Sequence, residues 1–206
     1  MSIHSIPVLA FLFVFLASCS DDEVVKVQNI YNDTEMISIM NSMSVEIDSL
    51  QMKGDAERDF SKLMIIHHQG AIDMGMKQIA KGDDAELKVW AKELINKQQF
   101  EMDKLVFFLT AHHVESSPAG YHWDSEAKAS MKRMDNDAAL AITTGDADTD
   151  FAALLLHHHH AANELAQSFL LHSDNSALED LANKMIEDQN LRIEQLQNWL
   201  LQNKSQ

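Results

Sequence analysis

The sequence predicts an all-α protein. In it, two tandem copies of one helical unit pack as an antiparallel four-helix bundle with extra short helices. Three observations lead there. The stretch Asp59–Met76, DFSKLMIIHHQGAIDMGM, returns 91 positions later as DFAALLLHHHHAANELAQ, which brings His67-His68 into register with His158-His159. The register holds on both sides without a gap. Gly54-Asp55-Ala56 matches Gly145-Asp146-Ala147, Met40 and Met43 match Met131 and Met134, and Ala91, Ile95, Gln98 and Leu109 match Ala182, Ile186, Gln189 and Leu200. Self-similarity at a fixed offset is the signature of a repeated structural unit. The second observation is the scarcity of breakers, with two prolines and six glycines in 206 residues. The third is apolar spacing of three and four, the mark of amphipathic helices.

Composition bounds the function. A 46% hydrophobic chain of this length can bury one good core, or two small ones in contact. A formal net charge of −16 argues against nucleic acid as a partner, because a phosphate-binding surface needs clustered Lys and Arg. It suits solubility and the local accumulation of cations. The single cysteine, Cys19, excludes a disulfide framework. Ile6–Ala17 is an apolar run too short to span a bilayer but suited to a signal-peptide core. It ends in Leu16-Ala17-Ser18-Cys19, which resembles a bacterial lipoprotein cleavage box, although the start lacks the usual Lys or Arg. The expected product is Cys19–Gln206, lipid-anchored at Cys19 in the cell envelope. The acidic Ser20-Asp21-Asp22-Glu23 resembles the export signals of some surface lipoproteins.

Residues 1–18 are thus read as a signal peptide and 19–34 as a polar tether. The first repeat covers 35–110, the second 125–201, and both belong to one domain. From Glu35, apolar residues at Met36, Ile39, Met40, Met43, Ile47 and Leu50 predict a first amphipathic helix. Gly54-Asp55 ends it, and Asp55 or Asp59 can cap the next, roughly Glu57–Lys81, which carries the first histidine pair. Gly82-Asp83-Asp84 turns the chain into a third helix over Ala85–Leu109, with Leu87, Ala91, Leu94, Ile95, Gln98, Met102, Leu105 and Leu109 inward. Residues 111–124, with His112, His113, Pro118, Gly120 and His122, read as the inter-repeat loop. The second copy repeats the plan with helices near Ser125–Ile142, Asp148–Leu171 and Ala177–Leu201. Short connections between long helices favour antiparallel neighbours. The two long helices of each copy make the four-helix bundle, and the Met-bearing helices pack on its outside or ends.

A helix advances about 100° per residue, so adjacent histidines diverge. Phe60, Met64, His67, Ala71 and Met74 form one stripe, and His67 is its single polar member; Phe151, Leu155, His158, Ala162 and Leu165 match it. If the copies pair about a twofold axis, His67 and His158 meet, with His68 and His159 nearby. Four neutral imidazoles there suit copper or, alternatively, zinc. Met64 and Met74 offer soft thioethers that favour Cu(I), a contribution confined to the first copy. His157 and His160 flank the second pair, three residues apart on one helix face. Gln98 and Gln189 recur on the partner helices, either as groups that orient the imidazoles or as ordinary helix surface. The remaining methionines read as core filling, and buried structural histidines without metal are the bland alternative.

The pattern Phe60…Met64…His67-His68-Gln69-Gly70-Ala71-Ile72-Asp73-Met74, then Leu94-Ile95…Gln98…Glu101-Met102, resembles the family catalogued as domain of unknown function 305. The likeness covers about residues 36–200. It implies a ferritin-like helical bundle and metal handling outside the cytoplasm, most plausibly of copper. The family's histidine pairs fall on His67, His68, His158 and His159, and its methionine positions on Met64 and Met74. In the second copy His160 replaces the glutamine, Ala161 the glycine, and leucines the methionines, while Arg192 stands where Glu101 does.

The expected function is therefore a lipid-anchored copper buffer or carrier. No nucleophile and base at informative spacing, and no phosphate-cradling glycine loop, suggest an enzyme. A ferritin-like oxidase would need Glu-x-x-His motifs that the sequence lacks. A structural or partner-binding helical lipoprotein without metal is the main rival. Expected partners are the metal ion and the membrane, and a homo-oligomer is compatible with the sequence.

Overall fold

The computed structural model describes residues 35–111, 123–141 and 143–203. The expected signal peptide and tether, with Cys19, and the loop histidines His112, His113 and His122 lie outside the described residues. Within them the chain forms six helices and no strand: α1 (Glu35–Ser49), α2 (Ala56–Lys81), α3 (Ala85–Ala111), α4 (Trp123–Leu140), α5 (Ala147–Leu170) and α6 (Ser176–Asn203). Each begins within two residues of its expected start. The one shift with a packing cause is α4, which starts at Trp123 because that side chain is fully buried against Phe60 and Phe169.

The repeats are joined by the same chemistry at the same places. Asp55 caps α2 through the Arg58 amide, and Asp146 caps α5 through the Thr149 amide. The preceding Gly54 and Gly145 take φ of 78° and 79°, a left-handed turn that glycine adopts without strain. Asp59 does not cap. One turn inside α2, it accepts from the Lys53 and Gly54 amides, as Asp150 does from Thr144 and Gly145. At the next turns Asp148 accepts from the Asp83 and Asp84 amides, and its repeat-equivalent Glu57 accepts from Asp174.

Three side-chain contacts reveal how the copies are related. Ser44 Oγ donates to Asp135 at 2.6 Å across α1 and α4, His67 stacks on His158 across α2 and α5, and Lys97 pairs with Asp188 across α3 and α6. Each contact joins residues 91 apart, the offset of the duplication. A residue that meets its own counterpart sits on the axis relating the copies. A pseudo-twofold axis therefore passes through all three contacts, and the helices form three layers along it: α1/α4, α2/α5 and α3/α6.

Within the central layer α2 and α5 run antiparallel. Phe60 near the start of α2 stacks on Phe169 near the end of α5, the histidines meet midway, and Gln78 near the end of α2 reaches Asp148 at the start of α5. The long helices α2, α3, α5 and α6 form the expected bundle, and α1 and α4 cover one outer side of it. Met36, Met40, Met43, Met131 and Met134 are buried beneath them, and Met185 is buried on α6. Gly70 admits Met43, since a Cβ there would lie 2.5 Å from the thioether sulfur.

Candidate metal centre

His67, His68, His158 and His159 are all at most 2% exposed, at the centre of the molecule. The sequence places them there because His67 and His158 belong to the apolar stripes of α2 and α5. Their neighbours, one residue on, turn toward the α3/α6 layer. His67 and His158 stack with ring centroids 3.6 Å apart and planes 27° from parallel, and His159 lies edge-on to His158 at 6.0 Å. His68 was expected at the flank but is fully buried, with Nε2 at 2.9 Å from Glu101 Oε2, off hydrogen-bond direction.

Most of these ring nitrogens are orphaned. Neither nitrogen of His67 or of His159 has a hydrogen-bond partner, nor does Nδ1 of His68 or of His158. The amide oxygens of Gln98 and Gln189 are buried and unpartnered as well. A buried polar atom without a partner costs about 1–3 kcal/mol, so a cluster of them calls for an occupant or a function. Burial, then the neighbouring imidazoles, holds His67 and His158 well below the usual histidine range. Burial, then the nearby Arg192 charge, pushes His159 down to about 3. These three rings are neutral at pH 7, which is the ligand form of imidazole.

The stack is not a finished coordination shell. Imidazole lone pairs lie in the ring plane, so the two stacked rings confine theirs to nearly parallel planes rather than crossing ones. Accordingly, among the described residues no group of three or more His, Cys, Asp or Glu is already arranged to hold a metal ion. The four histidines are all buried, with His67, His158 and His159 in ring contact, and convergence on one ion requires His67 and His158 to rotate.

Other expected ligands are placed less evenly. Met64 and Met74 are fully buried on the His67 stripe. Helical rise sets Met64 about 4.5 Å and Met74 about 10.5 Å along the axis from His67. His157 is half-buried and His160 exposed, so neither joins the interior group. Burial also lowers His157, partly offset by the Asp137 charge. Gln98 and Gln189 do face the interior from α3 and α6, both buried.

Glu101 and Arg192 were the missed participants. Both lie on the four-three-four stripe of their helices, Leu94-Gln98-Glu101-Leu105 and Met185-Gln189-Arg192-Leu196. The stripe itself was the available signal. A cleft of about 200 Å³ between α3 and α6 is lined by Glu101, Arg192, Gln98, Gln189 and Lys97 and reaches His159.

Fold and site together define an all-helical, internally duplicated protein with a buried imidazole cluster on its pseudo-twofold axis. The chain belongs to the family described as Domain of unknown function (DUF305), whose family model matches residues 19–109 and again 57–200. No curated protein matches the sequence. Among solved structures the fold is similar to CopM in its silver-bound form obtained by soaking, at TM-score 0.56 and 23% identity, covering 71% of this chain and 96% of that one. CopM in the Cu(I)-bound form gives 0.54 and 22%, covering 73% and 98%. The Cu(II)-bound form gives 0.55 and 24%, covering 71% and 96%. At these identities the likeness is one of fold.

Proposed function

We propose that the protein binds copper in the buried cluster formed by His67, His68, His158 and His159, and holds or hands on the ion without transforming it. The observation that carries this reading is the set of buried ring nitrogens that lack hydrogen-bond partners. Neutral imidazoles suit copper, and Met64, one turn from His67, is the better placed of the two thioethers to favour Cu(I). Structures of CopM with Cu(I), Cu(II) and silver support copper as the cargo, while zinc draws no such support. Gln98 and Gln189, buried on α3 and α6 with unpartnered amide oxygens, are the candidates to accept from imidazole N–H groups and so orient the rings. The exposed His160 with His157 offers a separate, weaker chelating pair on the α5 surface.

The test is thermal unfolding of the protein with and without Cu(I), Cu(II) and Zn(II), beside His67→Ala/His158→Ala and the bulkier His67→Gln/His158→Gln. An ion that binds only the folded state at about a hundredfold its dissociation constant adds roughly 2.7 kcal/mol. Copper is expected to stabilise the parent protein and neither double variant. Equal stabilisation of all three, or of none, would leave the histidines as core packing.

The lipoprotein-type box ending at Cys19 supports placement in the cell envelope on a lipid anchor. Among the described residues no helix is long and apolar enough to cross a membrane. Metabolic labelling with an alkyne fatty acid is expected to mark the protein and to fail with Cys19→Ser. Retained label in that variant rules the anchor out.

A further inference from the structure

The two repeats offer opposite charges to their histidine pairs. Glu101 on α3 faces His68, whereas its counterpart Arg192 on α6 lines the cleft at His159. Gln98 and Gln189 are the same on both sides, and the other charge difference in the cleft, Lys97 against Asp188, is consumed in their mutual ion pair. We propose that this asymmetry limits the interior to a single cation, held on the His68–Glu101 side, and that Arg192 closes the His159 side to a second one. The inference rests on the metal-binding reading above and adds to it a stoichiometry, an oxygen donor and an excluding residue.

Glu101 is suited to the first role. It is 3% exposed, with Oε2 2.9 Å from His68 Nε2. A buried carboxylate there supplies both a ligand oxygen and the counter-charge that a cation in a low-dielectric interior requires. The other acids of the cleft are committed elsewhere, Glu93 to Arg192 and Asp188 to Lys97.

Arg192 is suited to the second. Its Nη2 donates to Glu93 at 2.8 Å and its guanidinium lies over Trp90 at 5.0 Å, so the group is held in place. Its Nη1 is buried without a partner. A guanidinium keeps its charge at every relevant pH. Two unit charges about 8 Å apart at an effective dielectric near 20 repel enough to weaken binding by roughly thirtyfold, and more at shorter range. A cation at His159 would meet that repulsion, reduced by the exposed Glu93 that pairs with Arg192 but with no carboxylate from α6 at the position equivalent to Glu101.

The experiment is Cu(I) titration of the full chain against a chromophoric Cu(I) chelator, with thermal unfolding followed in parallel. A His157→Ala/His160→Ala background removes the exposed pair. The parent is expected to take about one ion, and Arg192→Glu about two, because the change restores a carboxylate on the second side. Arg192→Gln, which removes charge without adding a ligand, is expected to tighten a second ion by about tenfold or more. Glu101→Arg should abolish the first ion. The exchange Glu101→Arg/Arg192→Glu should restore about one, now lost with His159→Ala and kept with His68→Ala. Unchanged stoichiometry and affinity in folded Arg192→Glu and Arg192→Gln, or two tight ions in the parent, would overturn the proposal. No binding by the parent would overturn the metal reading itself, a result distinct from either.

Discussion

The metal-free protein is expected to lose stability steeply as pH falls below about 6.5, by up to about 4 kcal/mol per pH unit while all three rings stay neutral in the folded chain. Three buried imidazoles cause this. His67, His158 and His159 are held below the ordinary histidine range, chiefly by burial. An unfolded chain takes up a proton at each near pH 6.5, while the folded chain keeps them neutral. Their contribution is therefore complete above that pH and is lost as pH drops, at about 1.4 kcal/mol per unit for each ring. The loss flattens for His159 only near its own value of about 3. The groups around the rings do not reverse the sign. His67 and His158 face each other, His68 and His160 are like charges when protonated, and Arg192 on α6 is cationic; Glu101 on α3 faces His68. Asp59, raised by burial, acts in the opposite sense, but in the carboxylate range. Urea unfolding at pH 7.5, 6.5 and 5.5 would measure the slope in the upper window, where histidines dominate. His67→Gln/His158→Gln should remove about two-thirds of it. A flat profile, or a slope indifferent to that double variant, would show that the interior accepts protons and would remove the electrostatic basis of the site. Saturating copper should raise stability across this range without removing the slope, because the folded rings are neutral with or without it and the unfolded chain still takes up the protons.

How much of this could be read from sequence follows from which signals are periodic. The duplication offset of 91 is visible as paired motifs, and the same number defines the contacts Ser44–Asp135, His67–His158 and Lys97–Asp188. One linear register thus foretold both the fold and the meeting of the inward histidines. Helix starts were legible because Asp55 and Asp146 are caps that follow glycine, a local chemistry independent of tertiary packing. Glu101 was not, because an acid close to Asp103 and Lys104 reads as solvated surface, and the apolar Met102 beside it drew the inner-face assignment. In the structure Met102 is half-buried and Glu101 buried. Position on the stripe outranks residue type there, and the histidine across the interface supplies the reason. The stacked geometry of His67 and His158 was equally hidden, since helical spacing fixes which way a side chain leaves the backbone and not how two rings settle. Trp123 was assigned to the loop because nothing in the local sequence shows that Phe60 and Phe169, far along the chain, will bury it.

That aromatic group is where a single truncation should cost most. Phe60 is wholly buried, stacked on Phe169 with centroids 4.0 Å apart and planes 9° from parallel, and it meets the Trp123 edge at 6.4 Å. Trp123 in turn packs edge-on to Phe169 at 6.3 Å, so three rings from α2, α4 and α5 lock one end of the central layer. Phe60→Ala is expected to destabilise the protein by about 3–5 kcal/mol, from lost burial and the cavity left among rings that cannot collapse. For a domain of this size the melting temperature should drop by roughly 6–20 °C. The other end of the layer is built differently. At the position equivalent to Phe169 stands Gln78, which hydrogen-bonds Asp148 instead of stacking. A double-mutant cycle between Phe60 and Phe169 should therefore return a coupling of about 0.5–1.5 kcal/mol beyond the single losses. A drop under about 3 °C for Phe60→Ala would mean that the end frays in solution. The histidine stack lies two turns away along α2, so copper binding by Phe60→Leu at neutral pH should match the parent. If it does not, the ring cluster is what sets the spacing at which His67 and His158 meet.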